Sequence, residues 1–339
     1  LLVELAPFIY SCLIDDQAVV DLGVPYFEIR LLGIMFVGMN FAFRGYWNAV
    51  DMAYLYMRTI IIMHTANIIL NYIFIFGNFG APALGVSGAA IASLTSVIIG
   101  TCVYFLLALK HAGDHGFLHR RPHFSEVRTL VRLSLPNGIQ QLFFAGGFLA
   151  TYWIIGQVGT AELAAANVLL NLTMLALLPG LGFGLTAATL VGQALGRCEP
   201  ADARRWGFDV VSLAVIVMVT ICLPMVLIPE LVITTFYVLD PETLALALWP
   251  MRIAGLTIAF DAFGMVLMQA LLGAGDTRRV MKISICNQWL LFLPIAYIIG
   301  PVLGFGLFEI WTLQAVYRGF QAFLFYQLWR GDKWTTVHI

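Results

Sequence analysis

Residues 249–276, WPMRIAGLTIAFDAFGMVLMQALLGAGD, lie in register over residues 24–51, VPYFEIRLLGIMFVGMNFAFRGYWNAVD. The overlay matches Pro25 with Pro250, Ala49 with Ala274 and Asp51 with Asp276. After a small gap, NYIFIFG, ending at Gly77, falls over PIAYIIG, ending at Gly300. Each copy is an apolar run longer than the ~20 residues a helix needs to cross the hydrocarbon core of a bilayer. A repeat whose loops fall on the same sides predicts two helical bundles related by an axis along the membrane normal, facing one another across a cleft.

Composition agrees with a bilayer as solvent. Of the 339 residues, 61% are hydrophobic and 11% charged, against about 45–50% apolar and about 25% charged in soluble domains. The chain reads as an all-α integral membrane protein, with spans near 25–46, 55–77, 85–109, 126–157, 161–195, 207–237, 245–273, 280–300 and 303–329. The opening run, 1–14, is too short to cross alone and reads as the end of another span. All but three of the 18 Lys and Arg residues lie at or near alternate gaps, among them Arg44, Arg58, Lys110, Arg128, Arg197, Arg278, Lys282 and Arg330. Those gaps are cytoplasmic by the positive-inside rule. Arg30, Arg252 and Arg318 break the pattern, and either snorkelling or a pore-facing role would account for them.

The expected organisation follows. Residues 1–109 form the remainder of an N-terminal six-helix lobe, 110–125 a basic, His-bearing cytoplasmic linker, 126–330 a C-terminal six-helix lobe, and 331–339 a cytoplasmic tail. Carrying the repeat register backward puts the start of the chain about 98 residues into the first bundle, so about two and a half helices are expected to be missing from a six-plus-six arrangement.

Several function classes fall away. A net charge of −1 offers no field for nucleic acid. Cys12, Cys102, Cys198, Cys222 and Cys286 have no metal-ligand spacing and read as small core hydrophobes. HExxH, GxSxG and the P-loop are absent, so no enzyme is expected and no cofactor. The expected partners are small molecules and lipid, and the expected state is a monomer.

Three features carry chemistry. Asp261 lies near the middle of its span, where an ionised Asp costs about 2.5–3.5 kcal/mol on insertion scales. Thr257, Gly264, Met265 and Met268 share its face, a polar and soft stripe suited to a cavity. Such an acid binds a proton or a cation, and pairing with a neighbouring helix for packing is the alternative. In the span 55–77, His64, Asn67 and Asn71 share a face by i+3 and i+4 spacing. Amide oxygens at that depth coordinate a small cation such as Na+, with a hydroxyl from Ser93, or else clamp helices together. His64 lies toward the cytoplasmic end and is the weaker candidate. The third feature is LSLPNGIQQLFFAGG, where Pro136 interrupts a helix that carries Gln140 and Gln141 and frees backbone carbonyls toward a cavity. Met35, Met39, Met265 and Met268 are candidate adaptable wall contacts.

NIILNYIFIFGNFGAPALGVSGAAIAS, residues 67–93, resembles the segment joining the fifth and sixth helices of MATE transporters, the multidrug and toxic compound extrusion family. LAAANVLLN, LPGLGFGLTAATLVGQALG and GAGDT resemble parts of its second lobe, and the whole is most similar to the bacterial NorM-like branch. The resemblance implies a twelve-helix antiporter of the bacterial inner membrane that exchanges Na+ or H+ for hydrophobic, often cationic drugs by alternating access. It matches Asp261 to the family's second-lobe acid, and Asn67, Asn71 and Ser93 to polar positions of the first-lobe cation site. Ala145 stands where NorM-like members carry a glutamate, which leaves Asp261 as the one acid of that pair. Lipid-linked oligosaccharide flippases of related architecture, exporters of one metabolite and a noncatalytic membrane scaffold are the competing readings. A flippase needs a strongly cationic cavity, for which Arg30, Arg252 and Arg318 are the available side chains.

Overall fold

A computed structural model describes residues 6–7, 17–113, 117–118 and 123–335. Among them every regular element is helical, as a bilayer demands, because an α-helix satisfies its own backbone hydrogen bonds where no water can. The chain divides into two compact units, Leu1–Arg121 and Pro122–Ile339.

In the first unit, α1 (Gln17–Leu32) and α2 (Ile34–Ala49) form a pair bent by 44° at Gly33, the geometry of a broken span or of a re-entrant loop. Then follow α3 (Ala53–Phe76) and α4 (Gly85–His111). The repeat unit at 24–51 is thus broken at Gly33, whereas its counterpart at 249–276 belongs to one uninterrupted helix through Gly273. The α3–α4 turn is made by Gly77, left-handed at φ 73°, and by Asn78, whose Nδ2 donates to the Tyr72 carbonyl at 3.0 Å. Just beyond it α4 crosses α3 so closely that a Cβ on Gly88 would strike the Phe74 backbone. That crossing brings the polar faces of the two helices together. Trp47, Leu55, Tyr104, Ala108 and Ala112 make the core at the other end.

The second unit runs α5 (Phe124–Val158), α6 (Thr160–Gly196), α7 (Pro200–Leu227), α8 (Pro229–Phe236), α9 (Pro241–Gly273), α10 (Thr277–Val302) and α11 (Leu307–Arg330). The span read at 207–237 is two helices, because Pro229 cannot continue α7 and instead starts α8. At the centre α9 packs on α6, α7 and α11, burying Met251, Ile258, Ala262, Val266 and Leu267. Helix α10 lies on α5 and opens into π-helix at Cys286–Phe292 and Ile298–Val302. Pro294 and Pro301 lack an amide donor and their rings crowd the preceding turn, which widening relieves.

Among the described residues seven helices are long and apolar enough to cross a membrane, and the bent α1–α2 pair, taken as one span, would bring the number to eight. Helix α11 has the length, 24 residues, but falls outside that set. Its polar residues, Glu309, Gln314, Arg318, Gln321 and Gln327, are the reason. Cys12, Arg120, Arg121, part of the linker and the end of the tail lie outside the described residues.

Candidate functional site

In the second unit Asp261 on α9 meets Arg318 on α11, with Nε 3.3 Å from Oδ1. The Asp261 side chain is 10% exposed and that of Arg318 27%. Asp261 therefore has a cationic partner within its own unit. The third exceptional arginine in the sequence pattern is here a charge partner, while Arg252 lies over the Trp249 ring at 4.8 Å from its centroid, an arrangement typical of the membrane interface. Oδ1 of Asp261 and Nε of Arg318 make no hydrogen bond among the described residues. Their attraction is ionic without being geometrically locked.

Arg318 also lines a cavity of about 50 Å³, together with Thr151, Thr173, Gln288, Gln314 and Tyr317. Phe144, Phe148 and Phe292 complete most of the lining. The buried Oγ1 of Thr173 and Oε1 of Gln314 have no hydrogen-bond partner among the described residues. Gln288 reaches α5 because position 147 is glycine; a Cβ there would occupy the place of the Gln288 amide. The first π segment of α10 carries Asn287 and Gln288, consistent with the frequency of π turns at functional sites.

The sequence candidates of this unit separate. Gln140 is 5% exposed, and its Nε2 reaches Ser284 Oγ at 3.2 Å and Met268 Sδ at 3.3 Å, so Gln140 and Met268 join α5, α9 and α10. Met265 packs toward Gly180 of α6. Gln141 and Ala145 are exposed. Pro136 is buried within α5.

In the first unit Asn71 Nδ2 donates to Asn67 Oδ1 at 3.1 Å, and Asn67 Nδ2 to Ser96 Oγ at 3.3 Å. Ser96 in turn donates to the Ser93 carbonyl at 2.8 Å. The hydroxyl beside Asn67 is thus that of Ser96, and Ser93 joins through its backbone. Asn71 Oδ1 is buried without a hydrogen-bond partner among the described residues, a free hard oxygen of the kind a small cation takes. His64 is exposed, Met35 is 72% exposed, and Met39 lines an apolar groove with Phe43, Tyr46 and Phe105. A second clamp joins α2 to α4: Thr101 donates to Asn40 Oδ1 at 2.9 Å.

Outside the spans, Asp276 between α9 and α10 is gripped by Arg279 through Nε at 2.8 Å and a terminal nitrogen at 2.7 Å. Burial pushes its carboxyl above the usual range and the Arg279 guanidinium draws it partway back. Asp240 accepts from the Thr243 amide at 2.9 Å at the start of α9, which holds its carboxyl below the usual range.

With this geometry, the family profile MatE matches residues 136–298. The chain carries a MatE domain. That domain includes α6, α7, α8, α9 and Asp261. Relatives include a protein named probable multidrug resistance protein NorM of Thermotoga maritima, 28% identical over 277 residues, which are 79% of this chain and 58% of that protein. Another of the same name, from Brucella suis, is 30% identical over 272 residues, 78% of this chain and 58% of its own. The chain thus spans somewhat under two thirds of the length of these relatives. The fold is that of MATE transporters: a crystal structure of MATE in the straight conformation aligns with 97% of this chain and 73% of its own, at TM-score 0.86 and 19% identity. With its apolar helices and a MatE domain, the chain is a multi-pass protein of the kind found in the bacterial inner membrane.

Residues the sequence reading missed include Ser96, Asn40, Gln288, Gln314 and Thr173. Gln314 had a signal, lying four residues before the exceptional Arg318 and so on its helical face.

Proposed function

We propose that this protein is a cation-coupled antiporter, driven by Na+ or H+, that exports hydrophobic and cationic compounds by alternating access. The observation that carries the proposal is the Asp261–Arg318 pair. A mid-span carboxylate is held by a side chain of another helix, without a locked hydrogen bond. A proton or an organic cation arriving at Asp261 competes with Arg318, and release of Arg318 removes the charged link between α9 and α11, leaving only their apolar packing to hold them. Binding is thereby linked to helix movement, which is what alternating access needs. Asn67 and Asn71 serve the coupling ion in the first unit, where the free Asn71 Oδ1 supports a Na+ site. The multidrug names of the NorM relatives support the substrate class.

The flippase reading finds less support, since Arg252 stacks on Trp249 and Arg318 is neutralised by Asp261. The test is ethidium efflux in inverted vesicles carrying Asp261→Asn. Ion-driven efflux is expected to fall at least tenfold, and unchanged coupled transport would remove Asp261 from the mechanism.

A further inference from the structure

We propose that the groove between α10 and α11 holds an anionic phospholipid of the cytoplasmic leaflet, bound as a resident and not as cargo. The inference is independent of antiport and requires no transport. The groove has a volume of about 390 Å³, and its lining includes Lys282, Cys286, Asn287, Leu290, Phe320 and Leu324. Cys286, Leu290 and Phe320 are exposed, so the groove opens away from the packed centre of the unit. Lys282 is the single charged side chain in the lining. It lies at the cytoplasmic end of α10, in the basic gap that also holds Arg278 and Arg279. Asn287 comes five residues later, about 7 Å deeper at the rise of a helix, and the apolar wall of Leu290, Phe320 and Leu324 completes the groove. Cation, amide and apolar wall match the phosphate, ester and acyl chain of a phospholipid.

Asn287 marks the level of the ester. It is 4% exposed, and neither its Nδ2 nor its Oδ1 has a hydrogen-bond partner among the described residues. A buried amide with both ends unsatisfied is costly, and more so at a depth where water is scarce. The terminal torsion of an Asn side chain is soft, so Nδ2 turns to donate to an ester carbonyl in the groove. The charge of Lys282 selects an anionic headgroup over a zwitterionic one. Two other occupants fit less well. A free phosphate would leave the apolar wall uncovered. A second copy docked here, about a two-fold axis along the membrane normal, would set the two Lys282 side chains at the same depth on facing surfaces, a like-charge contact.

The experiment is native mass spectrometry of the purified protein in detergent, titrated with palmitoyl-oleoyl phosphatidylglycerol or with the phosphatidylcholine of the same chains. The first phosphatidylglycerol is expected to bind about fivefold more tightly, the worth of one lysine near an anionic surface. Lys282→Gln is expected to abolish that preference, and Asn287→Leu to weaken both lipids several-fold while keeping it. Modification of Cys286 by N-ethylmaleimide, with the other four cysteines replaced by alanine, reports the place: phosphatidylglycerol is expected to slow it at least threefold. Equal affinity for the two lipids overturns the proposal, and so does a preference that survives Lys282→Gln or a Cys286 rate untouched by bound lipid. Displacement of the lipid by glycerol 1-phosphate would show that a headgroup alone fills the site, and a lipid-free dimer that shields Cys286 would assign the groove to a second copy; either result overturns it as well. Should Asn287→Leu fail to fold, Lys282→Gln decides, because Lys282 is exposed.

Discussion

The two units solve the same problem, a polar group within a greasy helix, in different ways. In the first, Asn67, Asn71 and Ser96 pass hydrogen bonds from one to the next with no formal charge, and one oxygen is left over at Asn71. In the second, Asp261 and Arg318 set full charges 3.3 Å apart. A neutral chain with a buried spare acceptor carries the desolvation penalty of that oxygen while empty, and a small cation arriving there would relieve it. An ion pair is already satisfied in charge, so any visitor must displace one of its members. On the proposed antiport reading, the first unit receives a cation and the second exchanges one partner for another.

Breaking the ion pair gives the largest effect. Arg318→Leu leaves Asp261 buried without a counter-charge and is expected to cost about 3 kcal/mol in denaturant unfolding in detergent, the low end for a buried pair because the guanidinium is partly exposed. Adding Asp261→Asn to Arg318→Leu should restore most of it. A single-variant loss below about 1 kcal/mol would mean that the pair behaves like one at a wet surface.

The neutral network should yield less. Asn71→Leu removes the spare oxygen and the donor to Asn67, with an expected loss of about 1 kcal/mol. The sharper readout is the melting shift between sodium chloride and choline chloride, expected in the wild type and absent in Asn71→Leu. A sodium shift that survives the substitution would place the ion elsewhere.

The smallest effect separates charges at helix ends from charges in spans. Asp240→Ala removes the cap of α9 and should lower the melting temperature slightly at neutral pH. Because the folded-state carboxyl is depressed, its stabilisation is present above the unfolded value of about 3.9 and is lost as pH falls through the folded one. Wild type and variant should converge in acid, and a difference that persists there would show that the cap does not act through its charge.

Much of this was legible from the sequence, for definite reasons. Helix positions follow from the length of apolar runs, and the face shared by Asn67 and Asn71 follows from their spacing of four. Asp261 announced itself by its cost in an apolar run. Its partner did not, because Arg318 lies 57 positions away and periodicity within one helix says nothing of which helix lies alongside. Only the failure of Arg318 to fit the alternation of basic gaps marked it. The exchange of Ser96 for Ser93 had a similar cause: both are on α4 and three residues apart, and the rotation that puts one hydroxyl against Asn67 is fixed by the crossing at Gly88. The bend at Gly33 and the π turns of α10 are backbone events without a hydropathy signature.

The polarity of α11 bears on how the protein is made. An arginine at mid-membrane depth costs about 2.5–3.5 kcal/mol to insert, and α11 carries one in a helix not apolar enough to qualify as a span on composition. Helix α9 is synthesised first and brings Asp261 into the bilayer ahead of it. When α11 follows, the attraction between the two charges offsets part of the cost of both. The same contact that joins the two helices therefore lowers the cost of seating the more polar of them in the bilayer.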